Sequence, residues 1–549
     1  MAVGGARHST EDVDGHGDLA VTHADAAVSA NRKWRPWWVW TVPFAAVLAV
    51  LLVRNAFLFS TPEYEDADMG ANSILIEQAR RFTLLVGHYS REKFNHPGPA
   101  FLYVQSWGES LFWAALRVVP TAWNGQMIAV FALNALFAAL VVGTGYGVTR
   151  SLRGAAACCA ALLAFAALKP AVFSSDWMPY ILIMPYVAFL VATASVAAGN
   201  LRDAWIAALA GWFLLNGNVA FLFFVPVAAG ACVIALAWPR RRSLLTSLRS
   251  FFANQRRVWI PVLAISALFV FPIVLNTALH WPGEFAKYLA YSPKKGDNGL
   301  RPVVHYALWF WWTGASHIGL LVVVVSYLVA GLLTWRLAPG PARRFCVSVL
   351  AFNTLSSVAF LIYAVVAIDE LDPTGYYIGY FYWSAPAIML LVAAFALAER
   401  LPSATGLVVA ATAAVVACAA FAVAPQTRTS TNHTDPGRAG SLPDTVPSLP
   451  AAVAAMAAHA DGRPIVLSLQ HNAWPSMTGL LVEASRTGVT ACVADPYWEF
   501  MVTGQFICTP AELAGGAKFS LYVPGQVPRG VPVVFKLPHA IVTLAPSGT

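Results

Sequence analysis

Charge is what this sequence has least of. Asp, Glu, Lys and Arg make up 11% of its 549 residues, against roughly 25% in a soluble globular chain. That shortfall excludes a soluble enzyme, a disordered chain and a fibre. Proline (35) and glycine (38) are at ordinary usage, which also removes low-complexity structure. Signature motifs are missing as well. There is no GxxxxGK[ST], no GxGxxG after a strand, no HExxH and no GxSxG. Nothing therefore points to an ATPase, a Rossmann oxidoreductase or a zinc protease. No CxxC pair or His-rich spacing occurs, so no metal site is expected from spacing.

What is present is apolar sequence in long runs. Hydrophobic residues make up 58% of the chain, and mean hydropathy is +0.61. The runs are continuous and about twenty residues long, the length of a bilayer-spanning helix. They lack the alternation over about ten residues that marks an outer-membrane barrel. The expected fold is mainly α: a polytopic transmembrane helical bundle of about eleven spans. These fall near 37–59, 127–147, 155–174, 178–198, 203–218, 220–238, 258–278, 316–336, 346–367, 379–398 and 404–424. Asn216-Gly217-Asn218 interrupts the run at 203–238, which suits a tight hairpin or one long broken helix.

The net charge of +8 reads as a topology signal rather than a nucleic-acid footprint. With eleven spans, Arg32, Lys33, Arg35, Arg150, Arg153, Arg202, Arg240, Arg256, Arg343 and Arg400 share one side, the cytoplasm. Carboxylates collect in the opposite loops. The expected setting is the cytoplasmic (inner) membrane, with residues 1–35 a disordered cytoplasmic tail and 36–424 the membrane domain. An odd span count places the rest outside: a linker at 425–447 and a small extracytoplasmic α/β domain at 448–549. In that domain helices are expected at 450–459 and 475–486, and strands at 464–469, 489–494, 518–523 and 532–536. Cys492 and Cys508 then lie in an oxidising compartment, where a disulfide persists.

The first external loop, 60–126, concentrates the polar chemistry. Glu63, Glu65, Asp66 and Asp68 follow the first span closely. Together they suit a general base for a hydroxyl or ligands for a divalent cation; read singly, each suits a solvated loop. Residues 73–86 fit an amphipathic helix in which Glu77 and Arg81 pair. Residues 97–118 fit a helix lying in the membrane interface. The start of that second helix, His96-Pro97-Gly98-Pro99, favours an anion through its free N–H groups. Arg91, Lys93 and His96 lie just upstream, able either to hold a phosphate or to contact lipid headgroups. The second external loop, 279–315, carries Lys287 as a further cation.

GHYSREKFNHPGPAFLY, with acids just after the first span, resembles the GT-C superfamily of membrane glycosyltransferases. The likeness is to bacterial members with a YSR…NHPGP first-loop signature, here Tyr89-Ser90-Arg91 and Asn95 to Pro99. FPIVLNTALHWPGEFAKYLAYS resembles the exit into the second large external loop of those proteins. The resemblance covers about 37–424. It implies transfer of a sugar from a polyprenyl-phosphate carrier to an extracytoplasmic acceptor, by an inverting, general-base mechanism. The catalytic acid it implies is Asp68 or Asp66, and spacing does not choose between them. Arg91 and His96 are the candidates for the donor phosphate; Tyr89, Asn95, Arg81 and Lys287 join them as substrate-binding candidates. The expected partners are the lipid-linked donor, a glycan, lipid or protein acceptor, and membrane lipid, with no nucleic acid. No cofactor is required, and a divalent cation stays open. The competing reading is a transporter or flippase of a lipid-linked saccharide. Such proteins place charge at mid-membrane in repeated, broken helices, whereas these spans are nearly free of charge. Trp474, Tyr497 and Trp498 of the C-terminal domain suit either sugar stacking or an aromatic core. An Ala-rich, Arg-over-Lys composition suggests a high-GC bacterium, so cell-envelope glycan and protein acceptors both remain open.

Overall fold

The computed structural model describes residues 36–238, 253, 255–290, 298–313, 315–369, 371, 375–424 and 446–545. The expected N-terminal tail and nearly all of the 425–447 linker lie outside the described residues. Every expected span is occupied by a helix. In chain order these are α1 (Trp38–Arg54), then, after two loop helices, α4 (Ala122–Thr149), α5 (Leu152–Leu168), α6 (Ile183–Ala197), α7 (Ala204–Gly217), α8 (Phe221–Ala237) and α9 (Arg256–Leu279). After two more loop helices come α12 (Ser316–Trp335), α13 (Pro341–Ala367), α14 (Ser384–Arg400) and α15 (Ser403–Val423). Among the described residues, seven helical stretches are long and apolar enough to cross a membrane, including Met178–Ala197 and Tyr376–Arg400. The chain is thus a multi-pass membrane protein.

The packing fits a bilayer as solvent. α4 and α6 are buried almost throughout and form the centre of the bundle. α9 and α12 lie at the periphery and expose Leu263, Leu268, Phe271, Leu320, Val324 and Leu328. In water such a surface would drive association; against lipid chains it is neutral. The Asn216-Gly217-Asn218 break resolves as a hairpin between α7 and α8.

The first and last membrane helices are tied at one end. Arg54, at the end of α1, donates to the carbonyls of Phe421 (2.5 Å) and Ala424 (2.7 Å). Its guanidinium also lies 5.0 Å from the Phe421 ring centroid. The last carbonyls of a helix have no partner within it, and a buried arginine satisfies them here.

The first loop forms two helices, α2 (Ala67–Arg80) and α3 (Ala100–Gly108), the second continued by a π-helical turn over Glu109–Ala115. α2 starts six residues earlier than its apolar periodicity predicts, with Asp66 at the cap position but no capping bond from its side chain. The Glu77–Arg81 pair forms, at 2.5 Å. Beyond the buried Glu109, α3's continuation exposes Leu111, Leu116 and Val118, as an interfacial segment would. The second loop contributes α10 (Gly283–Ala290) and α11 (Leu300–Trp309).

The start of α3 is sealed rather than open. The Gly98 N–H donates to the Asn216 carbonyl at 3.1 Å. A Cβ on Gly98 would lie 2.0 Å from Asn216 Oδ1, so only glycine fits. One of the N–H groups expected to meet an anion at this helix start is therefore taken by the α7–α8 hairpin. Gly98→Ala is expected to overpack this contact and destabilise by about 1–3 kcal/mol, read as a lower melting temperature in detergent. Adding Asn216→Ala should restore much of the loss. Unchanged melting of Gly98→Ala would show that the loop does not seat here.

The C-terminal domain contains α16 (Leu449–Ala460) and α17 (Trp474–Thr487) packed on a five-stranded mixed sheet. Its strands are β1 (Ile465–Leu469), β2 (Ala491–Val493), β3 (Ala517–Tyr522), β4 (Val533–Lys536) and β5 (Ile541–Leu544), in the order β2-β1-β3-β5-β4. β5, too short and too near the end to stand out in the sequence, pairs antiparallel with both β3 and β4. Cys492 and Cys508 form a disulfide across the β2 edge. The domain sits on the first loop: α17 lies along α2. Close approach is permitted by small residues, with Gly70 against Thr478 and Gly479 against Glu65 and Asp66. Thr478 Oγ1 donates to the Ala67 carbonyl at 2.8 Å, and Ser485 Oγ to Glu77 at 3.1 Å. Loop and domain thus share one face of the bundle, which requires an even number of crossings between them. Ten helices, α4 to α9 and α12 to α15, lie between them among the described residues, an even number.

Candidate active site at the loop face

The four acids after α1 separate into distinct environments. Glu65 is buried and pairs with Arg486 of α17 at 2.5 Å. Burial alone would raise its pKa, but the charge and hydrogen bond of Arg486 outweigh that and lower it. Arg486 also lies 3.9 Å from Glu109. Glu109 in turn accepts from Arg80 at 2.8 Å and Gln126 at 2.9 Å. Asp66 is fully buried beneath Gly479, and burial pushes its pKa up to about 7. Glu63 is buried too, its carbonyl accepting from Thr121 at 2.7 Å. The acids do not converge on a common point. Among the described residues no group of three or more His, Cys, Asp or Glu is arranged to hold a metal ion.

Asp68 differs from its neighbours. It lies in the first turn of α2, half-buried, facing the membrane domain. One carboxylate oxygen accepts from the Tyr89 hydroxyl and the other from Trp177 Nε1 at 3.0 Å. Both bonds fix the carboxylate in orientation. Arg91 stands opposite. Burial works against its charge, but Asp68, Tyr89 and Tyr377 around it prevail and raise its pKa. Arg91 also lies over the Trp474 ring at 5.4 Å, so the C-terminal domain helps to aim it.

An aromatic wall continues from this carboxylate. Trp177 lies 5.4 Å from Tyr377, and Tyr180 stacks on Trp383 at 5.8 Å. Lys169 Nζ lies 4.9 Å above the Trp383 ring. These residues come from the α5–α6 connection and the turn before α14. In sequence they read as a membrane-interface aromatic belt. The usable signal was Asp176-Trp177, a polar pair between two spans.

The remaining candidates fall into other places. His96 is buried, stacked on His88 at 4.0 Å, and its Nδ1 accepts the Val219 N–H at 3.1 Å. Burial drops its pKa to about 3. Its Nδ1 joins the loop to the α7–α8 hairpin as an acceptor. Arg81 is exposed and paired with Glu77, away from Asp68. Asn95 ties the two loops: its N–H donates to Glu284 at 2.7 Å, and its carbonyl accepts from Tyr288 at 2.5 Å. Glu284 holds Lys287 at 2.8 Å. Tyr89, Asn95 and Lys287 share a groove of about 570 Å³ with Lys93, Tyr497 and Phe500.

Asp66 carries a pH signature. Its folded pKa stands above its unfolded value, so the fold holds the extra proton between about pH 4 and pH 7. Stability falls as pH rises through that window, by at most about 4 kcal/mol for a shift of this size. Asp66→Asn is expected to melt above the parent at pH 8, with the gap closing near pH 4. A gap independent of pH would place the proton elsewhere.

No family model matches the chain, and no curated protein matches it. Among solved structures it is similar to ArnT from Cupriavidus metallidurans in the apo state. The two are 13% identical, the match covers 92% of this chain and 97% of that one, and the TM-score is 0.46.

Proposed function

We propose that this chain is a membrane glycosyltransferase that moves a sugar from a polyprenyl-phosphate carrier to an acceptor hydroxyl, with Asp68 as general base. The observation that carries the reading is the Asp68 arrangement. A half-buried carboxylate, oriented by Tyr89 and Trp177, lies within electrostatic reach of Arg91, an exposed arginine of the first loop. The resemblance of Tyr89-Ser90-Arg91 and Asn95 to Pro99 to a first-loop signature of the GT-C superfamily supports it.

In the proposed step, Asp68 takes the proton of the acceptor hydroxyl. The oxygen attacks the sugar's C1 from the face opposite the phosphate. The C1–O bond breaks with its electron pair moving to the phosphate oxygen, leaving polyprenyl phosphate and an inverted glycoside. Arg91 offsets the charge that develops on the departing phosphate. Trp177 and Tyr377 present ring faces where the sugar would lie. Lys169 offers a second cation along the same wall.

The test uses the purified full chain in nanodiscs with polyprenyl-phosphate-linked sugars. The expected result is release of polyprenyl phosphate with formation of an inverted glycoside. Movement of intact donor across the bilayer without loss of its sugar would overturn the reading in favour of a flippase.

A further inference from the structure

The groove beside Asp68 is built from three separate parts of the chain. The first loop supplies Tyr89, Lys93 and Asn95, the second Lys287, and the C-terminal domain Tyr497 and Phe500. At about 570 Å³ it is within the usual range for small-molecule sites, about 300–1,000 Å³.

Its chemistry is mixed. Tyr497 is 44% exposed, yet its ring is held by Trp498 at 5.1 Å and Phe500 at 5.7 Å. A fixed, exposed ring face is a platform for the apolar face of a sugar. Lys93 Nζ lies 4.7 Å from that ring, and Lys287 reaches in from α10. Glu499 is the acidic member of the lining, and Lys287 is paired with Glu284 at 2.8 Å, so an anion would meet Lys93 directly and Lys287 in competition with Glu284.

Its position is equally informative. Tyr89 lines the groove with its ring and bonds Asp68 through its hydroxyl. A molecule in the groove is therefore one tyrosine away from the carboxylate, on the side covered by the C-terminal domain. A lipid-borne donor enters from the membrane side, along the aromatic wall. The groove is left for the other reactant.

We propose that this groove is the acceptor subsite and that it takes an oligosaccharide bearing an anionic group, a carboxylate or a phosphate. The sugar ring stacks on Tyr497, and Lys93 and Lys287 take the anionic substituent. The assignment as acceptor subsite rests on the glycosyltransferase reading above.

The experiment measures binding of fluorescent oligosaccharides to the full chain in nanodiscs. The probes are uronate-bearing, phosphate-bearing and neutral chains of matched length. Charged hydrogen bonds of this kind lead to an expected preference of at least about tenfold for an acidic chain over its neutral counterpart. The Lys93→Ala/Lys287→Ala variant should lose that preference. Tyr497→Ala should weaken binding while Tyr497→Phe keeps it, which separates stacking from misfolding. No saturable binding, equal binding of acidic and neutral chains, or binding indifferent to Tyr497→Ala would each overturn the proposal. Donor consumption is followed in the same nanodiscs. Consumption dependent on Asp68 without oligosaccharide binding removes the groove and leaves the enzyme. Tyr497-dependent binding without donor consumption leaves a carbohydrate groove and overturns its assignment to an acceptor.

Discussion

Asp68→Asn is expected to lower transfer by about a hundredfold to ten-thousandfold, the usual cost of losing a general base. The change keeps the side chain's size and leaves one oxygen to accept from Tyr89 or Trp177. The fold should therefore survive, with the melting temperature near that of the parent and the donor still bound. The loss should appear in turnover rather than in donor affinity, because the carboxylate acts on the proton of the acceptor. Asp66→Asn serves as the comparison. Asp66 is sealed under Gly479, out of reach of a hydroxyl, so its replacement should change stability with pH and leave turnover much less affected. If Asp68→Asn transfers at the parent rate, the base lies elsewhere; a large loss in Asp66→Asn alone would reverse the assignment.

Arg486→Met should be the most damaging single change to stability. It removes the cation from between two buried carboxylates, Glu65 at 2.5 Å and Glu109 at 3.9 Å. Breaking a buried pair from one side typically costs about 3–5 kcal/mol, because the remaining charge stays in place without compensation. Glu109 retains Arg80, so the burden falls on Glu65. Its carboxyl would then follow burial alone and take up a proton at higher pH than in the parent. The visible consequences should be a lower melting temperature and faster hydrogen exchange in α2 and α17. Transfer should fall as well, since the first turn of α2 carries Asp68. Replacing Glu65 and Arg486 together by methionine should recover much of the stability. A single variant no weaker than the double would show that the ion pair does not hold the two parts together.

How much of this could be read from the sequence depends on the range of the interactions. Spans were legible because a run of about twenty apolar residues is a local property, and the bilayer sets its length. The Glu77–Arg81 pair and the disulfide were legible for similar reasons, one from helical spacing and the other from compartment. The difference in surroundings between Asp66 and Asp68 was not. The two sit two residues apart in the same polar stretch, and what separates them is Gly479, roughly four hundred residues away in the chain. The surroundings of His96 were hidden for the same reason. A histidine before a helix start looks cationic until the α7–α8 hairpin buries it and gives its Nδ1 an N–H to accept. Nothing local marked Arg486, since its acids lie in the first loop. Trp177 and Tyr377 were hidden by their company, for aromatic residues at a membrane boundary need no special explanation.

The docking of α17 on α2, together with the Arg54 latch between α1 and α15, also bears on how the protein is made. Residues near the beginning of the chain are finished by residues near its end. While a ribosome is still producing the middle helices, Glu65 has no Arg486, Arg91 has no Trp474 beneath it, and the last carbonyls of α15 do not yet exist. This face is therefore completed only after the final hundred or so residues emerge. A chain cut short after α15 would carry every described membrane helix and still lack the partners that Glu65 and Arg91 find in the C-terminal domain. Order of synthesis thus sets when the loop face is complete.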